Sequence, residues 1–302
     1  MRTAAPSADA ADFDARVVAT FGRQFLIEDD GGAVWSATRR GKKGDVVVGD
    51  LVRAHASAPG LARIETLKPR RSLLFRADGF RVKELAANID LVLVVYAARP
   101  TFNRWFVWKA LVAAHAAGIE AVVVQNKTDL DSDGEAAAFR RSLEQLGVTT
   151  LALSAKAEPE RTHAALTAVV RDRASLFVGQ SGMGKSTLLN LLVPDAGART
   201  QEYSQRLDLG KQTTTASRWF DLPCGGSIVD TPGFQEFGLA NVPLDQLAES
   251  FPEFRPALGH CRFLDCRHLV EPDCAVRKLV DQGFVAADRY AFYHSLAEAR
   301  PL

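Results

Sequence analysis

The chain has 302 residues, 47% hydrophobic and 24% charged, with a formal net charge of +1. That length holds more than one domain and a sizeable core, and the composition is that of a globular protein rather than a disordered one. No apolar run is long enough to span a bilayer, residues 1–16 lack an apolar signal region, and four cysteines are too few for a disulfide scaffold; a cytoplasmic protein without membrane contact is expected.

Residues 1–12 are Ala-rich and read as a disordered leader. Residues 13–75 carry short β-rich runs at 16–21, 24–27, 33–38, 46–54 and 62–67, separated by Gly and Asp. Five short strands with turn signals predict a small β-barrel, and an OB-fold that binds RNA is the natural candidate. Residues 1–84 hold 15 Lys/Arg against 11 Asp/Glu, including Arg39-Arg40-Gly41-Lys42-Lys43 and Arg70-Arg71. Solvated loops would explain such runs; beside a small barrel, nucleic-acid contact is the sharper reading.

Residues 76–242 alternate strand and helix: strands at 89–96, 120–125, 149–153, 176–178 and 227–229, helices at 102–117, 134–146, 161–171 and 184–192. Repeated βα units predict a mostly parallel sheet covered on both faces. Residues 195–215 form a long polar loop of the kind that is usually functional. From 243 to 302, short helices at about 275–282 and 286–299 follow a Cys/His cluster and predict a mostly helical zinc-binding domain.

The strand at 176–178 runs into Gly179-Gln180-Ser181-Gly182-Met183-Gly184-Lys185-Ser186, the strand–loop–helix setting of a phosphate loop. Its residues Gly179, Gly182, Met183, Gly184, Lys185, Ser186 and Thr187 are expected around the phosphates, with backbone N–H groups and the helix N-terminus facing them. Lys185 would reach the β- and γ-phosphates, and Ser186 would ligate Mg²⁺. Asn126-Lys127-Thr128-Asp129 follows the strand at 120–125 and points to guanine. The Asp129 carboxylate accepts from the N1–H and N2 amine of that base, whereas adenine would leave it buried and unpaired. Asn126 would brace the loops, Lys127 would pack along the ring, and Ser154-Ala155 would present a backbone N–H to O6. Asp230 of Asp230-Thr231-Pro232-Gly233 would hold Mg²⁺, and the Gly233 N–H would sense the γ-phosphate. Among Thr213, Thr214 and Thr215, Thr214 is the expected Mg²⁺ ligand. Phe234 stands where many GTPases place a water-orienting Gln, so Gln212 is the candidate for that role, with Lys185 and Thr214 completing the catalytic set. The base-reading motifs precede the phosphate loop, so the order is circularly permuted.

Cys261-x4-Cys266-x-His268-x5-Cys274 supplies three thiolates and an imidazole, a closed donor set suited to one structural Zn²⁺. Cys224 lies apart and reads as an ordinary residue. Aromatics at 284, 290, 292 and 293 read first as packing against the knuckle, with base stacking as the lesser reading.

Barrel, permuted G domain and Cys/His knuckle in this order resemble the ribosome-small-subunit-dependent GTPase family, RsgA, also called YjeQ. The resemblance runs from about Phe13 to the end of the chain. It includes Pro69-Arg70-Arg71-Ser72-Leu73-Leu74 and Glu236-Phe237-Gly238 besides the motifs above. It implies a GTPase stimulated by the 30S subunit, acting in late small-subunit maturation, whose barrel and zinc domain contact rRNA. Family members commonly carry His directly before the triple Thr, where this chain has Gln212; Gln can orient water but cannot act as a base. A monomer is expected. A nucleotide-gated adaptor for a protein partner is the rival reading, and an RNA-binding module with a vestigial GTP site a third.

Overall fold

The computed structural model describes residues 12–39, 45–78, 81–194, 196, 217–231 and 234–299. The first unit is a barrel of β1 (Asp12–Phe21), β2 (Gln24–Asp29), β3 (Val34–Arg39), β4 (Leu51–Ala58) and β5 (Leu61–Leu67). Its order is β1-β2-β3-β5-β4, and β4 pairs back onto β1 to close it; only β3 and β5 run parallel. Closure removes both sheet edges and gives the OB-type barrel that the five strand runs predict. Period-2 alternation makes the core. Val52, Ala54 and Ala56 point inward from β4 while Arg53 and Ser57 point out, and Val17, Ile27, Trp35 and Ile64 fill the centre.

The expected strand 46–54 is split. Gly49 turns the backbone at φ +88°, and the Asp50 carboxylate accepts from the Val47 N–H at 2.8 Å. Pairing as β4 therefore begins only at Leu51. A hairpin that the sequence reading did not anticipate follows the barrel: β6 (Leu73–Asp78) and β7 (Arg81–Ala87). It is sewn to the barrel by Ala87 N–H to Val48 O (3.0 Å) and the Asn88 amide to Gly49 O (2.8 Å). A Cβ on Gly49 would stand 2.1 Å from the Ala87 carbonyl oxygen, so only glycine permits this approach. Arg70 ties the two pieces together, bonding buried Asp50 at 2.7 and 2.9 Å and Glu84 at 2.8 Å. Arg70 is thereby committed inside the fold and leaves the basic surface expected of it to Arg71, which is 68% exposed and pairs with Asp90. Arg39 pairs with Asp45, and Arg40 to Lys43 lie outside the described residues.

The central sheet comprises β8 (Leu91–Ala97), β9 (Glu120–Asn126), β10 (Thr149–Ala152), β11 (Ala174–Val178), β12 (Arg218–Asp221) and β13 (Ser227–Asp230). Its order is β10-β9-β8-β11-β13-β12, parallel except for β12, and it continues into the barrel where Ala19 of β1 pairs with Arg218. Every residue of β8 and β11 is buried, as a doubly covered parallel sheet requires. Val92, Val94 and Tyr96 face one layer, containing α1 (Arg104–Ala116) and α2 (Glu135–Gln145). Leu91, Leu93 and Val95 face the other, containing α3 (Pro159–Val170) and α4 (Lys185–Leu192). Asn103 caps α1, its side chain accepting from the Trp105 N–H at 2.8 Å. Asp131 accepts from the Ala136 and Ala137 N–H groups at the start of α2.

The C-terminal segment holds α5 (Leu244–Glu249), a 3₁₀ turn (Pro252–Ala257), α6 (Ala275–Asp281) and α7 (Ala287–Glu298). Phe251, Phe254, Phe292 and Tyr293 are fully buried and extend the α1 core, with Trp108 and Phe292 ring centroids 5.5 Å apart. Among the described residues, no helix is long and apolar enough to cross a membrane.

Candidate nucleotide site and metal centre

Parallel pairing of β9, β8, β11 and β13 brings their C-terminal ends to one edge, where open α/β sheets place ligands. Asn126 ends β9, Ser154 follows β10, Gly179 follows β11 and Asp230 ends β13.

Two glycines are fixed by crowding. A Cβ on Gly179 would lie 2.3 Å from the Val95 carbonyl oxygen; one on Gly184, at φ +94°, would lie 2.3 Å from Asn126 Nδ2. Lys185 Nζ donates to the Gly179 and Gln180 carbonyls at 2.5 and 3.0 Å. Met183 is buried, Ser186 is exposed and Thr187 half-buried at the start of α4. Gln180 Oε1 accepts from the Asn103 N–H at 2.8 Å, which ties the loop to the cap of α1.

Asn126, 1% exposed, joins three loops. Its Nδ2 donates to Met183 O at 3.0 Å, and its Oδ1 accepts from the Ala155 N–H at 3.3 Å. Lys127, in the left-handed region at φ +56°, donates to Gly182 O at 2.6 Å and Arg99 O at 3.0 Å. The Ser154 hydroxyl donates to the Asp129 carboxylate. The two base-reading segments and the phosphate loop therefore form one hydrogen-bonded unit, although they are separated in sequence.

Burial pushes the Asp230 carboxyl above its ordinary range, against the pull of Arg218 and Lys185. Burial also pushes the Lys185 ammonium down, with Asp230 opposing. A half-desolvated carboxylate and ammonium side by side suit a phosphate–cation pair. Thr187 and Ser186 open the helix beside them. Gln212, Thr213, Thr214, Thr215 and Gly233 lie outside the described residues.

The segment just beyond includes Glu236-Phe237-Gly238, noted in the sequence for its resemblance, but its pairing with the hairpin was not foreseen. Ala77 N–H bonds Glu236 O and Gly238 N–H bonds Phe75 O, both at 3.0 Å, so residues 236–238 run alongside β6. Phe234 packs on Phe237 and on Phe106 of α1, Lys109 of α1 pairs with Glu236, and Gln235 is exposed. Gly238 is fixed by this pairing, since a Cβ there would come within 2.9 Å of Arg76 O.

Cys261, Cys266, His268 and Cys274 converge, with their ligand atoms all within 4.8 Å of one another. Cys261 and Cys274 sulfurs are 3.9 Å apart, and both lie 3.4 Å from His268 Nδ1. Zn–S bonds of about 2.3 Å in a tetrahedron put sulfurs about 3.8 Å apart, so the donor set fits zinc in both chemistry and spacing. Burial pushes the Cys266 thiol up to about 12 and the Cys274 thiol up as well, and pushes the His268 imidazole down. A dication would offset the burial of thiolates. The loop is shaped by Glu271, whose carboxylate accepts from the Arg267, Leu269 and Val270 N–H groups. Tyr290 and Tyr293 hydroxyls of α7 donate to the His268 and Arg267 carbonyls, both at 2.8 Å. Those two aromatics thus support the knuckle from behind, the packing role first expected of them. Cys224 is half-buried and packs against the α3–α4 core.

Residues 67–240 match the family model for the RsgA GTPase. The chain is 44% identical over 285 residues to the small ribosomal subunit biogenesis GTPase RsgA of Ralstonia nicotianae, covering 93% of this chain and 90% of that one. The crystal structure of YjeQ from Thermotoga maritima superposes with a TM-score of 0.69 at 28% identity, covering 96% and 98% of the two chains. The crystal structure of YloQ, a circularly permuted GTPase, gives 0.68 at 23% identity over 97% of each, a likeness of fold.

Proposed function

The chain belongs to the RsgA GTPase family, and on that premise we propose that it hydrolyses GTP in the service of small ribosomal subunit biogenesis, as the relatives' name states for them. The observation that carries the reading is the bonding of Asn126 to both Met183 and Ala155, which joins base and phosphate loops into one site. The comparisons do not favour a nucleotide-gated protein adaptor.

In this reading Asp129 selects guanine, Ala155 N–H meets O6, and backbone groups from Gly179 to Thr187 hold the phosphates. Lys185 leaves its loop carbonyls for the γ-phosphate as substrate enters. Ser186, Thr214 and Asp230 would hold Mg²⁺, which neutralises charge on the β- and γ-oxygens. Gln212 orients the attacking water. Thr214 and Gly233 close the switch loops in the GTP state, and hydrolysis releases them. Cys261, Cys266, His268 and Cys274 would hold one structural zinc. The division 13–75, 76–242 and 243–302 gives RNA-binding, GTPase and zinc domains. The GTP form docks on the 30S subunit through rRNA contacts of the barrel and knuckle, as a cytoplasmic monomer, and hydrolysis frees it.

GTP turnover with 30S subunits, and with 50S subunits as control, tests this. Selective stimulation by 30S is expected; GTP binding without stimulation would overturn it.

A further inference from the structure

A groove of about 330 Å³ opens between α5 and the Cys/His knuckle, and none of the candidate nucleotide residues lines it. Its apolar lining includes Leu244, Phe263 and Leu264. Phe263 is 41% exposed and Leu264 fully exposed, and Val270, later in the same loop, is 81% exposed. Leaving large apolar side chains in water is unfavourable, so several projecting apolar groups on one loop mark a contact surface. The lip is acidic: Asp245, Glu249 and Asp265 are exposed, and no lysine or arginine lines the groove among the described residues. Nearby Arg262 pairs with Asp273 and lies over the Phe263 ring, 5.5 Å from its centroid, so its charge is partly spent.

This charge pattern decides the occupant. Three carboxylates repel a phosphodiester backbone, and an apolar slot rimmed by carboxylates complements a basic chain carrying an apolar side chain. We propose that the groove docks a basic peptide segment of a partner protein, with a leucine-class side chain inserted beside Leu264 and flanking lysine or arginine residues paired to Asp245, Glu249 and Asp265. The knuckle loop would then serve as a protein-docking element in addition to any RNA contact made elsewhere. The metal matters indirectly, because Cys261, Cys266 and His268 hold the loop that bears Phe263 and Leu264.

The test needs neither GTP nor ribosomal subunits, so its failure is separate from failure of the GTPase reading. Fluorescence anisotropy of a labelled lysine peptide with one central leucine is titrated with the full-length zinc-loaded chain. Binding is expected, weakened about tenfold or more by the double substitution Asp245→Lys and Glu249→Lys. Leu264→Ser in the protein, or serine for leucine in the peptide, should weaken it comparably. Zinc content and melting temperature of each variant report an intact fold. Unchanged peptide binding by these variants overturns the proposal. So does a labelled oligouridine strand that binds in the peptide's place and is lost on Leu264→Ser, which would make the groove an RNA site.

Discussion

At the scale of single residues, the site is governed by desolvation. Asp230 has its pKa raised from 3.8 by burial, so the folded chain holds a proton there more tightly than the unfolded chain. Stability from this group is present below the unfolded value and is lost as pH rises through the folded value. Asp230→Asn removes that loss. The nucleotide-free variant should melt above wild type at pH 7, with the gap narrowing toward pH 4, while its Mg²⁺-dependent GTP turnover is abolished. A melting-temperature series across that range, in wild type and variant, checks the sign. Asn126→Ala strands the Met183 carbonyl and the Ala155 N–H together. An orphaned buried group costs about 1–3 kcal/mol, so GTP affinity should fall by roughly ten- to a hundredfold, read by titration with a fluorescent guanine nucleotide.

At the scale of elements, α1 is the piece on which the others converge. Its cap touches Gln180, its Phe106 and Lys109 touch the segment after Asp230, and its Trp105 and Trp108 touch Phe292 of α7. The α1–α7 contact encloses a buried ion pair: Arg289 bonds Glu253 at 2.6 Å and stacks over Trp108 and Phe251. Removing one member leaves the other charged and desolvated. Arg289→Ala should therefore lose about 3–5 kcal/mol of stability, whereas Glu253→Leu with Arg289→Met should recover most of it. Urea denaturation of both variants is the measurement; equal losses would mean that the pair, and not the stranded charge, carries the energy.

At the scale of the whole molecule, the permutation has a mechanical result. The chain leaves β13 and meets the barrel-linked hairpin at Gly238 before it reaches the Cys/His knuckle. The C-terminal helices share their core with α1, so they cannot move without disturbing it. Stripping the metal with a chelator should lower the melting temperature, because α7 hangs on the His268 and Arg267 carbonyls. It should leave GTP affinity nearly unchanged, because the nucleotide residues lie on the sheet edge. Loss of nucleotide binding on chelation would contradict that separation. If the partner surface is RNA, binding to the small subunit should fall steeply with salt, since each phosphate contact releases counterions.

The sequence by itself determined what local chemistry determines. The strand runs of the barrel, the apolar run at 89–96, the glycine spacing of the phosphate loop and the four metal donors each carry their own periodicity or valence. The motif order alone established the permutation. What it could not reveal depends on residues far apart in the chain. The β6–β7 hairpin was invisible because its value lies in pairing with residues 236–238. The strand at 46–54 broke at Gly49, where the turn admits the Ala87 carbonyl of a hairpin from beyond β5 and Asp50 caps Val47. Asn126 was legible as a brace, but which loops it braces was decided by tertiary structure. So was the fate of Arg70, which reads as surface charge until burial against Asp50 and Glu84 removes it. Only the folded chain fixes which polar group meets which, because an unpaired buried group is the one cost that local sequence cannot register.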